Sequence, residues 1–269
     1  MDWKRWVVGK WDWMRPFKSL LLIYLSIALV ACTISNKFIF HPPSAHYAAD
    51  ARNLVMLGPQ GERVACFYFP PEEGDRILLW SHGNAEDIGN LKPLFAELHA
   101  HGFGLLAYDY PGYGLSDGSP GERSCYRAAD RAYRYLVDET SADPGRIVLV
   151  GQSVGSGPAC WLAEREAVAG VVLIAPFLSA FRSVTHIPLF PGDKFKNITR
   201  IGNIEEPLLV IHGSRDEAIP FAQGQRLFDM HRGPKSFLEI SGAGHNDIWH
   251  LGRREMIRAI DELTAGKSE

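Results

Sequence analysis

The stretch Arg146-Ile147-Val148-Leu149-Val150-Gly151-Gln152-Ser153-Val154-Gly155-Ser156-Gly157 decides the reading of this chain. Ile147 to Val150 is an unbroken apolar run, mostly β-branched, of the kind found in a strand buried on both faces. It enters Gly-x-Ser-x-Gly directly, and Gly157, Ala159 and Cys160 then keep the following helix slim where it lies against a sheet. A strand that runs straight into a sharp turn and then a helix is the context of a nucleophile elbow. There the turn lifts a hydroxyl clear of the sheet edge and the helix dipole favours negative charge beside it. Ser153 is therefore the candidate nucleophile.

The same pattern recurs as Gly114-Leu115-Ser116-Asp117-Gly118. Ser116 follows the loop Pro111-Gly112-Tyr113-Gly114 and precedes Asp117-Gly118-Ser119-Pro120, where no helix can start at once, so it reads as a structural loop serine. A dinucleotide loop at Gly151 to Gly157 is excluded by its spacing. The next strand also ends in Ala175-Pro176-Phe177, with no acidic residue for a ribose.

Outward from Ser153, apolar runs of strand length alternate with amphipathic runs of helix length, which predicts an α/β fold with a mostly parallel sheet covered by helices. Strands are expected over 37–41, 53–57, 64–69, 76–81, 103–108, 146–150, 170–175, 207–212 and 236–240, the first three as an antiparallel lead-in. Helices are expected over 88–101, 121–139, 154–166, 220–231 and 246–264. In the second helix Tyr126, Ala129, Tyr133 and Leu136 recur at helical spacing as a core-facing stripe.

A serine hydroxyl needs a histidine to take its proton and a carboxylate to orient that histidine. Strand 207–212 runs into Gly213-Ser214-Arg215-Asp216-Glu217, which makes Asp216 the candidate acid, with Glu217 a weaker alternative. The last strand leads to Ser241-Gly242-Ala243-Gly244-His245, a flexible loop that can bring an imidazole over the sheet edge. His245 is the candidate base, and His250, inside the next helix, is structural. The order Ser, Asp, His is the one this architecture uses. Two backbone N–H donors for an oxyanion are expected from Val154, after the nucleophile, and from Asn84 in Ser81-His82-Gly83-Asn84-Ala85-Glu86-Asp87, with His82 bracing that loop.

Composition narrows the function classes. A chain of 269 residues with 46% hydrophobic content suits one sizeable core, and a formal charge of −3 with scattered Lys and Arg argues against nucleic acid as a partner. Cys66, Cys125 and Cys160 lack metal-type spacing and read as small apolar residues, with a bridge between two of them left open.

The N-terminal segment, residues 1–36, stands apart from a catalytic domain at 37–269. Lys4, Arg5, Lys10, Arg15 and Lys18, together with Trp3, Trp6, Trp11 and Trp13, precede an uncharged run from Leu20 to Ile34, the order of a signal sequence or signal anchor. Leu29-Val30-Ala31-Cys32 resembles a bacterial lipobox, which would make Cys32 the lipid-bearing first residue of a mature protein. The alternatives are an uncleaved anchor and a buried helix of the domain. Both membrane readings put the catalytic domain outside the cytoplasm, periplasmic or extracytoplasmic in a bacterium.

Five segments, His82-Gly83-Asn84-Ala85, Tyr108-Asp109-Tyr110 with Gly112-Tyr113-Gly114, Gly151 to Gly155, His212 to Glu217 and Gly242 to Asp247, together resemble the α/β-hydrolase-domain serine hydrolases. The similarity is to their membrane-anchored branch, which includes protein depalmitoylases and microbial relatives. It implies an eight-stranded sheet, a Ser153, Asp216, His245 triad, no cofactor or metal, acyl ester or thioester hydrolysis, and a loop-shaping role for Asp109 and Gly112 to Gly114. The depalmitoylases carry an N-terminal cysteine cluster, whereas this chain has Cys32 alone in its N-terminal segment.

The insertion from Phe177 to Ile204 is short enough for only a minimal cap, in which Phe177, Leu178, Phe181, Ile187, Leu189 and Phe190 are candidates to line an acyl site. The expected substrate is a small acyl compound, lipid or lipidated molecules included. A peptidase or amidase on the same triad, and a membrane-tethered binding module without catalysis, are the competing readings.

Overall fold

In a computed structural model, residues 13–72, 75–185 and 192–265 are described. The apolar runs become strands β1 (Leu54–Leu57), β2 (Val64–Phe69), β3 (Ile77–Ser81), β4 (Gly104–Tyr108), β5 (Ile147–Gln152), β6 (Gly170–Ile174), β7 (Leu208–Gly213) and β8 (Lys235–Ile240). They form one eight-stranded sheet in the order β1-β2-β4-β3-β5-β6-β7-β8. β2 pairs antiparallel with β1 and with β4, while every pairing from β4 to β8 is parallel. The α/β-hydrolase fold expected from the sequence is the fold observed.

Alternation along the central strands splits the core into two layers, as the two-residue period of a pleated strand requires. Leu78, Trp80, Val148, Val150 and Val172 face one side, with Phe95 and Leu98 of α2 (Lys92–Ala100) and Met256 and Ile260 of α6 (Ile248–Ala265). Ile77, Leu79, Leu149 and Leu173 face the other, with α3 (Glu122–Arg134), α4 (Ser156–Ala163) and α5 (Phe221–Met230). The stripe Tyr126, Ala129, Tyr133 and Leu136 is buried there, Leu136 in a π-helical turn that continues α3. Each fully buried Leu or Val contributes roughly 1.5–3 kcal/mol relative to exposure, so the sheet is a stiff platform for whatever leaves its edge.

The expected strand at 37–41 is absent. Helix α1 (Arg15–Ile39) takes up residues 37–39, because no glycine or proline interrupts it after Pro16, and Phe40 is extended ahead of Pro42-Pro43 without joining the sheet. Among the described residues no helix is long and apolar enough to cross a membrane. Even so, α1 leaves Leu20, Leu22, Ile23 and Leu29 between 55% and 66% exposed. Cys66, Cys125 and Cys160 are free thiols in the core, and burial pushes Cys125 and Cys160 up to about 12, so neither is a reactive thiolate at neutral pH.

Candidate active site

In a parallel sheet all C-terminal strand ends share one edge, and the loops after β3, β5, β7 and β8 meet there. Ser153 follows β5 with φ +52°, a left-handed conformation costly for a residue with a side chain. Its flanking glycines have a steric reason. A Cβ on Gly151 would lie 2.6 Å from Gly155 O, and one on Gly155 would lie 2.0 Å from Ser81 O. Only bare backbone fits between the end of β3 and the first turn of α4.

Ser153 Oγ lies 3.0 Å from His245 Nε2, and His245 Nδ1 lies 2.8 Å from Asp216 Oδ2. A carboxylate only accepts, so Nδ1 carries the proton and Nε2 is left to accept from the serine hydroxyl. The other oxygen of Asp216 accepts from the N–H groups of Ala218 at 2.9 Å and Ile219 at 2.7 Å. The same side chain thus closes its own turn and faces the histidine. Burial alone would raise its pKa. Contacts with His212 Nε2, His245 and the Ile219 amide outweigh burial and hold the carboxyl well below the usual range, so it is ionised at neutral pH. Glu217 is exposed beside it, and His250 is exposed on α6.

Ser153, His245, Asn84 and Val154 line one cavity of about 480 Å³ together with Ile39 and Phe177. The loop carrying Asn84 is braced from beneath. His82 is fully buried, its Nδ1 is 2.6 Å from Gly83 O, and its ring lies 4.2 Å from that of Tyr110. Burial lowers its pKa, but Asp109, whose Oδ1 is 3.4 Å from Nε2, outweighs this and the net shift is upward. Asp109 also accepts from Ile88 N–H at 3.0 Å and from the Tyr47 hydroxyl. The left-handed Gly114 presses so close that a Cβ there would overlap the Asp109 carboxylate. Ser116, the rejected serine, is buried and bridges Ala65 N–H and Asp109 O at 2.9 Å each, a structural role.

Several participants carry no clear signal in the sequence. Glu86 lines the cavity and accepts from Gly83 N–H at 2.6 Å, with burial raising its pKa. The three-residue spacing from Gly83 to Glu86 is the one local hint of that turn. Asn197, fully buried, donates to Ser156 Oγ at 2.9 Å and to Phe177 O at 3.0 Å, and Ser156 Oγ donates to Ser153 O at 2.6 Å. This ties the cap to the elbow. Of the expected cap residues Phe177 lines the cavity, joined by Ala180 and Ser183. Leu178 and Phe181 are not among the lining residues, and Ile187, Leu189 and Phe190 lie outside the described residues. The side chain of Cys32, within α1, and residues 1–12 also lie outside them. Among the described residues no group of three or more His, Cys, Asp or Glu is arranged to hold a metal ion.

A family model described as serine aminopeptidase, S33, matches residues 72–192. The "Alpha/beta hydrolase domain-containing protein 17B" of Xenopus tropicalis is 36% identical over 203 residues, 72% of this chain and 69% of the relative. The "Alpha/beta hydrolase domain-containing protein aho-3" of Caenorhabditis elegans is 36% identical over 236 residues, 82% of this chain and 69% of the relative. Among solved structures, the Pyrococcus furiosus esterase Pf2001 superposes with a TM-score of 0.69 at 16% identity, covering 84% of this chain and 98% of the esterase, a likeness of fold alone. Identity of this extent, over a sheet of this order, means that the chain belongs to the family of α/β-hydrolase domain-containing proteins and is a serine hydrolase.

Proposed function

We propose that the chain is a membrane-associated serine hydrolase that cleaves acyl esters or thioesters through Ser153, His245 and Asp216. The reading rests on one observation, the relay from Ser153 Oγ to His245 Nε2 at 3.0 Å and from His245 Nδ1 to Asp216 Oδ2 at 2.8 Å, at the wall of a cavity large enough for an acyl group. His245 takes the proton of Ser153, whose oxygen attacks the acyl carbonyl. The N–H groups of Asn84 and Val154 receive the negative charge that develops on the carbonyl oxygen. His245 then passes the proton to the leaving alcohol or thiol, which departs and leaves an acyl-serine. Water, deprotonated by His245, hydrolyses that ester and regenerates Ser153.

Ile39, Phe177, Ala180 and Ile219 support an apolar acyl group in the cavity. The exposed apolar side chains of α1 and the basic leader support membrane association, with the catalytic domain on the extracytoplasmic side. An amide substrate is the competing chemistry.

The test is labelling with a fluorophosphonate probe and turnover of a panel of p-nitrophenyl esters, acyl thioesters, lysophospholipids and aminoacyl amides. Ser153→Ala is expected to abolish labelling and to lower ester kcat by at least about 10³-fold. Labelling that persists in folded Ser153→Ala would sink the proposal. Amide turnover outpacing ester turnover in proportion to intrinsic reactivity would move it to an amidase.

A further inference from the structure

Asn84 contributes its backbone N–H to the mechanism above, yet its side chain is the more constrained part of the residue. Asn84 Oδ1 accepts from the His41 N–H at 3.1 Å and from the Tyr113 hydroxyl at 2.7 Å, and Asn84 Nδ2 lies 3.0 Å from His41 Nδ1. Because a backbone N–H can only donate, the atom facing it must be the amide oxygen. The NH₂ then faces the ring, and His41 Nδ1 is the acceptor. The amide is thereby gripped on both ends by a single residue, with Tyr113 as a third point.

That residue belongs to the strap leaving α1, which is fastened independently. Phe40 is buried with its ring edge-on to Phe195 at 6.0 Å, and Phe195 packs against Gly157 of α4, where a Cβ would lie 2.3 Å from its ring. Ile39 is in the cavity wall. Three consecutive residues thus reach the cavity wall, the core and the oxyanion loop. All three lie after Cys32, so they belong to the protein whether the N-terminal segment is cleaved or retained.

We propose that His41 is a positioning residue, which clamps the Asn84 side chain so that the Asn84 backbone N–H is held toward the carbonyl oxygen of the substrate. The strap Ile39–His41 is then a built part of the active site as well as the link to α1. This rests on the reading of Ser153 as nucleophile with Asn84 in the oxyanion hole. The clamp acts on a group used when negative charge develops, so its loss lowers kcat and leaves KM in place. His41 is exposed, so substitutions there leave the core untouched.

The experiment compares full-length wild type, His41→Phe and His41→Asn on a p-nitrophenyl ester, with pH profiles and thermal midpoints. His41→Phe keeps a ring and the backbone N–H that donates to Asn84 Oδ1 but loses the acceptor for Asn84 Nδ2, and is expected to lose about 2- to 10-fold in kcat, the value of one hydrogen bond. KM should stay within about twofold, and the loss is read on the plateau of the pH profile, where an imidazole is neutral and its Nδ1 is free to accept. His41→Asn, whose Oδ1 is able to accept where Nδ1 did, is expected to restore at least about half of the lost kcat. An active wild type with His41→Phe unchanged in kcat overturns the inference alone. So does a loss that tracks a falling thermal midpoint and is not rescued by asparagine. A wild type that neither labels at Ser153 nor differs from Ser153→Ala overturns the nucleophile reading instead, and the clamp with it.

Discussion

Asp216 joins a backbone turn and two histidines through one carboxylate. Its Oδ1 closes the turn to Ile219 while its Oδ2 faces His245 and His212. Asp216→Asn keeps most of this geometry but presents an amide that can hold the histidine in the wrong tautomer, so a loss of about 10³- to 10⁴-fold in ester kcat is expected. The pH dependence follows from the depressed carboxyl. A carboxylate whose folded pKa lies below its unfolded value of about 3.9 stabilises the fold fully above that value, and the contribution is lost as pH falls toward the folded pKa. Urea midpoints of wild type and Asp216→Asn should therefore differ above about pH 5, where the carboxylate is ionised in the folded and the unfolded chain. The gap should close below about pH 4, and one that widens there would contradict this account.

At the scale of elements, the join between β5 and α4 is set by what cannot be added to it. Ser153 is held at φ +52° and Gly155 touches the last carbonyl of β3, so the strained turn is pinned by two strands and a helix. The cap is tied to the same join through Asn197 and Ser156. Gly155→Ala forces backbone apart and is expected to cost about 1–3 kcal/mol, at the high end because no flexible side chain is able to yield. Chemical denaturation measures the cost. The rate of fluorophosphonate labelling should fall more steeply than stability does, because the displaced groups are those flanking Ser153.

For the molecule as a whole, a hydrolase fold with a closed core is joined to a helix whose first half leaves a row of apolar side chains exposed. Leu21 and Leu25, one turn apart on α1, are 56% and 51% exposed. The full chain is expected to float with phospholipid vesicles in a sucrose gradient, and Leu21→Glu with Leu25→Glu to reduce that fraction several-fold if α1 is retained, since burying an unpaired charge against lipid is costly. Cys32→Ser separates the two membrane readings. It alters processing and release of a lipoprotein and leaves an uncleaved anchor where it was, with mass spectrometry of the N-terminus as the readout.

Much of this was legible in the residues because it is governed by local periods. Two-residue alternation and short apolar runs mark strands, and 3.6-residue stripes such as Tyr126 to Leu136 mark helices. A parallel sheet then brings Ser153, Asp216 and His245 to one edge, since each follows the C-terminal end of a strand. The rejection of Ser116 also needed only its neighbours. What depended on tertiary structure was every contact between segments with no shared period: the grip of His41 on Asn84, the tie from Asn197 to Ser156, and Ile39 in the cavity wall. The strand expected at 37–41 failed for the same reason. Its apolar residues suit a strand or the end of a helix equally, and continuity with α1 together with the packing of Phe40 on Phe195 decided between them.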